Sequence, residues 1–392
     1  MAEKQRRPRW VLHLQAQMWR FLMGIGMLLH KLAPPRPPRP IFTRTIDSTL
    51  AATRVQEQKK NGGKGYPVLI NFHGGGFTLG TATDDARWCS TVVEECGAVV
   101  VSVEYRLAPE CPFPTAVEDG VDAILWVAEH AEELGIDATK IALSGFSSGA
   151  NMAFTVPIRL HDHLTGFSRS ITTEDVPIVH GMRGNPELTN EGSSTEFAIT
   201  PAGSSQKAQQ QHLDVPSKRP ELKVTGQTRV DICAICPWYP PTDYTQTREQ
   251  RRATCARKDQ ELPALFTDLF DESYLYPPDT LPLDSPYLSP GIAPTKLLRD
   301  SLPKDVFLFT CEWDMLLAEG VRFRDRLQSE ELGKHVVYRM IEGVPHGWDK
   351  APNPIKPTPG VKEHYEFACR QLSRVWGPDV SGSRRRSSIF VR

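Results

Sequence analysis

From Tyr66 onward, short apolar runs alternate with longer amphipathic stretches along the chain. Runs rich in Val, Ile and Leu without polar alternation are typical of parallel strands buried on both faces. We predict six such strands: Val68–Phe72, Ala98–Val103, Ile141–Leu143, Val230–Cys236, Val306–Thr310 and Val336–Ile341. Helical stretches separate them at roughly 116–133, 148–160, 318–332 and 361–375. This alternation predicts the α/β fold class, with a mostly parallel central sheet and helices on both faces.

The first 40 residues follow a different pattern and carry eight Lys or Arg against one acid. Apolar residues recur at steps of three and four and define one face of a helix: Val11, Leu14, Met18, Leu22, Ile25, Leu29 and Leu32. The opposite face holds His13, Gln17, Arg20 and Lys31. Because Arg20 would be costly inside a bilayer, residues 10–32 fit an interfacial or partner-packed helix better than a transmembrane span. Peripheral membrane contact and packing onto the protein's own surface both stay open. The Pro-rich run at 34–40 ends the helix.

Two later segments interrupt the alternation of strands and helices. Residues 165–228 are polar and repeat-free, which predicts an insertion; since it joins a helix to the next strand, we expect it at the amino ends of the strands, away from the chemistry. Residues 239–300 follow a strand and are rich in aromatics and prolines, so we expect a lid over the carboxyl edge. The predicted units are a basic amphipathic segment at 1–40, one domain at 41–378 that contains the insertion, and a disordered basic tail at 379–392.

Composition narrows the classes of protein that the sequence fits. The chain has 392 residues, of which 40% are hydrophobic and 24% charged, and this excludes wholesale disorder. A net charge of −1 gives no global field toward nucleic acid, so we expect no nucleic-acid partner. Eight cysteines are scattered without zinc-type spacing or a paired framework. We therefore expect no metal, and a reduced, cytoplasmic location with membrane association through residues 10–32 as the alternative.

The strongest candidate for chemistry is the segment Gly145–Gly149, with the sequence GFSSG, between a predicted strand and a predicted helix. A serine on such a turn projects above the sheet, and small neighbours let the strand and helix pass close together. The backbone N–H of Ser148 at the start of the helix would be free to bind an anion. A simple Ser/Gly-rich helix start, with Ser147 as its cap, is the alternative.

A second candidate is the segment His73–Phe77, with the sequence HGGGF, at the end of a predicted strand. Consecutive glycines after a buried strand are costly for folding, and they leave backbone N–H groups open to an oxyanion. The alternatives are a plain Gly-rich turn or a phosphate-binding loop. A phosphate loop would need a following Gly-Lys-Ser/Thr, which Phe77-Thr78-Leu79 does not supply.

A serine nucleophile needs a base, and the base needs an acid that orients it. His346 follows the last predicted strand and Asp314 follows the strand before it, so both fall at the carboxyl edge of the sheet. Glu312 is the fallback for the acid, and Asp349 is too near His346 in sequence to orient it easily. The order Ser147, Asp314, His346 is that expected of α/β-hydrolases.

These motifs resemble the hormone-sensitive lipase family of α/β-hydrolases over roughly 66–160 and 230–350. HGGGF, EYRLAPE at 104–110, GFSSG, Asp314-Met315-Leu316, Glu319-Gly320 and His346-Gly347 carry the resemblance. It implies an α/β-hydrolase fold with a helical cap, built here from about 1–50 and 240–300. It also implies Ser147 as nucleophile, His346 as base, Asp314 as orienting acid, and the N–H groups of Gly74, Gly75, Gly76 and Ser148 as the oxyanion hole. The family usually has Asp in place of Phe146, a change that we expect to alter the acyl-group preference.

The function expected from this resemblance is a serine hydrolase that cleaves carboxylic esters of small to medium apolar substrates through an acyl-enzyme, without a cofactor or metal. An amidase or a deacetylase acting on a small metabolite would use the same residues. A non-catalytic receptor on the same fold is the alternative from another class. Aromatics near the lid are Trp238, Tyr239, Tyr244, Phe266, Phe270 and Tyr274, and we expect most of them to pack the core.

Overall fold

The computed structural model describes residues 6–46, 65–165, 230–356 and 358–377, and the backbone of 388–391. Its eight strands are β1 Thr43–Arg44, β2 Tyr66–Phe72, β3 Val99–Val103, β4 Ile136–Phe146, β5 Ile232–Trp238, β6 Asp305–Trp313, β7 His335–Pro345 and β8 Ser388–Val391. They form one sheet in the order β1-β8-β3-β2-β4-β5-β6-β7, and every neighbouring pair is parallel. The predicted α/β class and parallel sheet are confirmed.

Helices connect these strands and cover the sheet. They are α1 Arg9–Leu32, α2 Ala86–Cys96, α3 Thr115–Glu129, α4 Ala131–Leu134, α5 Ser148–Thr165, α6 Arg248–Ala253, α7 Ala264–Tyr274, α8 Thr295–Ser301, α9 Leu317–Gln328 and α10 Val361–Trp376. Strands β1 and β8 and helix α2 were not predicted, and among the six predicted strands β4 differs most at its start, which lies five residues before the predicted Ile141. Its first half, Ile136–Lys140, is mostly polar, so apolar runs could not reveal it, yet Ile136 pairs with Tyr66 of β2.

The core lies on both faces of the sheet, because successive strand residues point to opposite sides. In β2, Val68 and Ile70 belong to a cluster with α3 and α5, whereas Leu69 belongs to a second cluster with α2 and α10. All three side chains are fully buried. A strand buried on both faces needs apolar residues at every position, which is the pattern that the sequence shows.

Helix α1 occupies the predicted residues, but the predicted apolar face is not the face that packs against the rest of the protein. The side of α1 that faces the protein is mixed. Leu12, Ala16 and Met27 are buried there. On the same side, Arg20 donates hydrogen bonds to the carbonyls of Thr78 and Ala108 at 2.9 and 2.8 Å, and Lys31 donates to Thr83 at 2.7 Å. Most residues of the predicted apolar face are exposed instead. The helix packs onto the protein's own surface, but through other apolar residues than those of the predicted face. The spacing of apolar residues defines two faces of a helix. It cannot show that carbonyl groups of a neighbouring loop will accept hydrogen bonds from residues on the polar face.

Within the described residues, no helix is both long enough and apolar enough to cross a membrane. Of the predicted insertion at 165–228, all but Thr165, the last residue of α5, lies outside the described residues. The predicted disordered tail differs from the structure at Ser388–Val391, which forms β8 beside β3. The run Ile389-Phe390-Val391 is β-branched and aromatic, so it suits a strand despite the arginines before it.

Candidate active site

Ser147 occupies the sharp turn between β4 and α5. Its φ of 53° lies in the left-handed region, which is strained for a residue with a side chain. Two backbone hydrogen bonds hold this conformation: the Ser147 N–H donates to the carbonyl of Trp238 at 2.9 Å, and the Ser147 carbonyl accepts from Asn151 at 3.0 Å. One bond ties the turn to β5 and the other begins the helix, so the serine is fixed from both sides.

Two glycines allow the turn to be this tight. A Cβ at Gly145 would lie 2.2 Å from the carbonyl oxygen of Gly149, and a Cβ at Gly149 would lie 2.0 Å from the carbonyl oxygen of Phe72. Both distances are far below contact between a carbon and an oxygen. The G-x-S-x-G spacing is thus a steric requirement of β4 and α5 passing beside β2.

The imidazole of His346 lies between the hydroxyl of Ser147 and the carboxylate of Asp314. Its Nδ1 donates to Oδ2 of Asp314 at 2.6 Å, and its Nε2 lies 2.8 Å from Oγ of Ser147. Asp314 directly follows β6 and His346 directly follows β7, so neighbouring parallel strands bring the two together. Oδ1 of Asp314, whose side chain is buried, also accepts from the N–H of Leu316 at 3.0 Å. This arrangement can remove a proton from the serine.

The other two acids considered from the sequence have different partners. Glu312 accepts the N–H of Gly343 at 2.6 Å and so braces the turn that precedes His346. Asp349 is buried and accepts from the hydroxyls of Tyr239 and Tyr365, both at 2.5 Å. Neither carboxylate bonds to the imidazole of His346, whose carboxylate partner is Asp314.

The glycine loop approaches Ser147 from β2. Gly76 and Ser148 line the same cleft as Ser147 and His346, whereas Gly74 and Gly75 do not. The loop is closed on itself, because the carbonyl of Gly75 accepts from Thr78 at 3.1 Å and from Leu79 at 2.8 Å. The Gly76 carbonyl also accepts from the hydroxyl of Thr78 at 3.1 Å, so the carbonyls of Gly75 and Gly76 both form hydrogen bonds within the loop. Gly76 has a φ of 60°, which suits glycine.

Below the loop, a buried tyrosine fixes the start of the glycine segment. The Tyr105 hydroxyl donates to the carbonyl of His73 at 2.8 Å, and the Tyr105 ring stacks on the His73 ring with centroids 4.2 Å apart. Burial raises the pKa of Tyr105 far above its ordinary range, so this hydroxyl keeps its proton. Tyr105 belongs to the EYRLAPE motif, whose role is therefore to hold the loop.

The predicted lid segment, 239–300, forms one wall of the cleft. Its aromatics divide by position. Tyr244, Phe270 and Tyr274 line the cleft, Trp238 and Tyr239 are buried beneath it, and Phe266 packs against Trp19 of α1 with ring centroids 4.6 Å apart. Packing was the right expectation for most of them, because Tyr244 and Tyr274 line the cleft and also belong to the buried core. Phe146, which was expected to affect acyl preference, is buried against Trp238 and Trp88 and does not line the cleft.

Sequence reasoning missed an ion pair in this wall. Arg248 of α6 donates to both oxygens of Asp271 of α7, at 2.7 and 2.6 Å, and both residues line the cleft. Burial lowers the pKa of Arg248, but the bonds and charge of Asp271 outweigh it and raise the pKa overall. The pair joins two cap helices beside an otherwise apolar surface. The two residues are 23 positions apart, so only their opposite charges could have hinted at it.

A buried polar network behind His346 was also missed. Nζ of Lys350 lies 2.7 Å from Asp349 and 3.0 Å from Asp85; both carboxylates are nearly inaccessible, and the Lys350 side chain is 19% exposed. Burial lowers the pKa of Lys350, but the two carboxylates more than offset this and raise it. In the described ranges, no group of His, Cys, Asp and Glu side chains has the arrangement of a metal site.

Comparison with known proteins agrees with this geometry. Residues 69–198 and 204–350 match a family described as having the alpha/beta hydrolase fold. The chain is 44% identical over 96 residues to the esterase LipI of Mycobacterium tuberculosis, which is 24% of this chain. It is 32% identical over 140 residues to human hormone-sensitive lipase, which is 31% of this chain. These matches span 30% and 13% of the two relatives' own lengths.

Among solved structures, an esterase from Pyrobaculum calidifontis superimposes with a TM-score of 0.58. It is 22% identical in sequence, and the alignment covers 92% of each chain. At this identity the likeness establishes the fold. What the fold does here has to be argued from the residues in the cleft.

Proposed function

The chain belongs to the family of proteins with the alpha/beta hydrolase fold, in its hormone-sensitive lipase branch, and from this premise we propose that it is a serine hydrolase of carboxylic esters. The hydrogen-bonded chain from Ser147 through His346 to Asp314 is the observation that carries the proposal. Three groups from the ends of three strands meet within bonding distance, in the order that a serine nucleophile requires.

In the first half of the reaction, Oγ of Ser147 attacks the ester carbonyl while Nε2 of His346 takes the serine proton. The carbonyl oxygen becomes an oxyanion, which the N–H groups of Gly76 and Ser148 stabilise. Asp314 keeps the proton on Nδ1 of His346 and stabilises the imidazolium. When the C–O bond breaks, His346 returns its proton to the leaving alcohol, and the acyl group stays on Ser147.

In the second half, water attacks the acyl-enzyme and His346 removes its proton. The ester bond to Ser147 then breaks, and the serine recovers its proton from His346. The products are a carboxylic acid and an alcohol, and the protein returns to its initial state. Every proton passes through one imidazole nitrogen, whose orientation is fixed by the 2.6 Å bond to Asp314.

The cleft supports an apolar substrate of small to medium size. Most of its lining side chains are apolar or aromatic, including Phe77, Leu262, Met315 and Leu316. Arg248 is neutralised by Asp271, so the wall presents little net charge to a ligand. Relatives named as esterases fit this chemistry.

Labelling with a fluorophosphonate probe tests the nucleophile. We expect the wild type to be labelled and Ser147→Ala not to be. Ser148→Ala is a matched control, because only the backbone N–H of Ser148 takes part, and it should be labelled normally. Absence of labelling in the wild type, or equal labelling of Ser147→Ala, would reject the proposal in favour of a non-catalytic receptor.

The leaving group is tested separately. Nitrophenyl esters and nitroanilides with the same acyl chains should be compared at equal concentrations. We expect the esters to be cleaved and the anilides to be cleaved far more slowly. Faster turnover of the anilides would replace the esterase with an amidase that uses the same residues.

A further inference from the structure

A continuous apolar surface covers the outer side of α1. We call it the outer face, and it consists of Trp10, Leu14, Met18, Phe21, Leu22, Ile25, Leu28, Leu29 and Leu32. Trp10 and Phe21 are 69% and 70% exposed, and the other members are 37–66% exposed. A solvent-exposed apolar patch of this length indicates a site of interaction.

The polar side of α1 holds this face outward. Besides its bonds to backbone carbonyls, Arg20 forms an ion pair with Glu110 at 2.7 Å, and Lys31 pairs with Asp84 at 3.4 Å. His30 is buried and bonds to the carbonyl of Ala351 at 3.1 Å. Rotating α1 to bury the outer face would break these contacts and expose Leu12, Ala16 and Met27, which are now buried. The outer face is therefore a fixed feature of the folded chain.

The charge of the surrounding segment indicates what covers this face. Between Glu3 and Asp47 the chain contains no acidic residue but nine cations: Lys4, Arg6, Arg7, Arg9, Arg20, Lys31, Arg36, Arg39 and Arg44. Five of these form ion pairs with acids elsewhere in the chain, namely Arg6, Arg7, Arg20, Lys31 and Arg44. Arg36 and Arg39 are exposed directly after the helix ends. Basic residues beside a wide apolar helix face, with Trp and Phe on that face, are typical of helices that lie in the interface of an anionic membrane.

We propose that the outer face of α1 docks onto a membrane surface containing anionic phospholipids. The apolar side chains enter the boundary between headgroups and acyl chains, and Arg36 and Arg39 approach the lipid phosphates. Helix α1 then lies in the plane of the membrane, with the hydrolase domain on the aqueous side. This docking needs no catalysis, so it stands independently of the esterase proposal.

A second copy of the chain is the competing occupant. In a twofold dimer the same surface meets itself. The exposed cations Arg36 and Arg39 would then face the second copy, and residues 4–46 contain no acidic side chain to pair with them. An anionic lipid surface satisfies both the apolar face and the charge, which favours it over the dimer.

The outer face also lies close to the candidate active site. Trp19, on the inner side of α1, contacts Phe266 of α7, and Phe266 stacks on Phe270 with centroids 6.3 Å apart. Phe270 lines the cleft that contains Ser147. Two ring contacts therefore connect helix α1 to the cleft. An ester substrate that leaves the membrane beside α1 would enter the water close to the opening of the cleft.

Vesicle flotation with the full-length chain tests the docking. Vesicles of phosphatidylcholine alone are compared with vesicles of equal parts phosphatidylcholine and phosphatidylserine. We expect the wild type and Ser147→Ala to float with the anionic vesicles and the binding to weaken as salt is added.

The triple variant Leu14→Gln, Phe21→Gln, Leu28→Gln should bind at least about tenfold more weakly, because three large apolar contacts are lost. The double variant Arg36→Gln, Arg39→Gln should lose about tenfold on anionic vesicles only.

The double variant Leu164→Gln, Ile292→Gln is the matched control, since both side chains are exposed but lie outside the outer face. It should float like the wild type. Every substituted side chain is exposed, so circular dichroism should show unchanged folding. Failure of the wild type to float, or unchanged flotation of the triple variant, would overturn the proposal. So would a dimer in sedimentation that the triple substitution dissociates while vesicle binding is absent.

Discussion

The ring of Tyr239 stands edge-on against the imidazole of His346, with centroids 4.9 Å apart and planes inclined by 64°. Tyr239 follows β5 with a φ of 43°, so its backbone is held in a strained conformation. Its hydroxyl donates to buried Asp349 at 2.5 Å, three residues beyond the histidine. The Tyr239 ring therefore packs against the imidazole of His346, and the bond of its hydroxyl to Asp349 holds the ring in that position.

From this contact we predict that Tyr239 positions His346. Tyr239→Ala removes the ring that packs against His346. It should lower kcat by about 10²-fold, because a small misplacement of the catalytic imidazole has an effect of that size. Tyr239→Phe keeps the ring and should recover kcat to within a few-fold of the wild type. KM should change little in both variants. A large rise in KM without a fall in kcat would contradict a positioning role. So would a failure of Tyr239→Phe to restore kcat.

The network around Asp349 predicts a specific loss of stability in acid. Burial raises the pKa of Asp349, but Lys350 and the hydroxyls of Tyr239 and Tyr365 outweigh it and lower the pKa overall. A lowered pKa contributes stability above the unfolded value of about 3.9 and loses it as the pH falls through the folded value. Asp349→Asn should cost about 3–5 kcal/mol at neutral pH, because Lys350 loses a buried partner.

Urea unfolding between neutral and acidic pH measures both effects. The wild type should lose stability as the pH is lowered below about 4, and Asp349→Asn should show a shallower dependence there. Asp259→Asn is the control, since its ion pair with Arg257 is exposed and such pairs contribute little. Equal pH dependence of the wild type and Asp349→Asn would assign the acid sensitivity to other carboxylates.

Two acids near the end of β6 allow a matched comparison of their roles. Asp314→Asn leaves the geometry intact but removes the charge that orients and stabilises the imidazolium, so kcat should fall about 10⁴-fold. Glu312→Gln retains an oxygen for the Gly343 N–H and should keep kcat within a few-fold. Steady-state hydrolysis of one ester by both variants checks this. A larger loss in Glu312→Gln would exchange the two assignments.

Much of the site could be predicted because strand ends are visible in the sequence. Ser147, Asp314 and His346 each come within about five residues of the end of a predicted apolar run, and parallel strands bring such positions to one edge. Contacts that depend on tertiary approach could not be predicted. The pair of Arg248 and Asp271 connects two short cap helices whose relative placement is set by packing alone.

The orientation of α1 shows the same limit more clearly. Its bounds followed from periodicity and from the prolines after Leu32, since both are local properties of the chain. Which face turns inward depends on Glu110 and on the carbonyls of Thr78 and Ala108, which are distant in sequence. Arg20 alone gives no sign of these partners.

The ring of Phe270 is positioned to limit the size of the substrate. A Cβ on Gly76 would lie 2.2 Å from Cγ of Phe270, so the ring packs directly on the glycine loop beside Ser147. Phe270→Ala removes that ring from the cleft, and we expect the preferred acyl chain in a series of nitrophenyl esters to lengthen. Hydrolysis of acetate should fall or stay unchanged, since a short chain gains no contact. Leu265→Ala is the matched control: its side chain is in the same helix but is exposed and does not line the cleft, so the chain-length preference should stay that of the wild type. A shift in Leu265→Ala but not in Phe270→Ala would place the acyl group on the other side of α7.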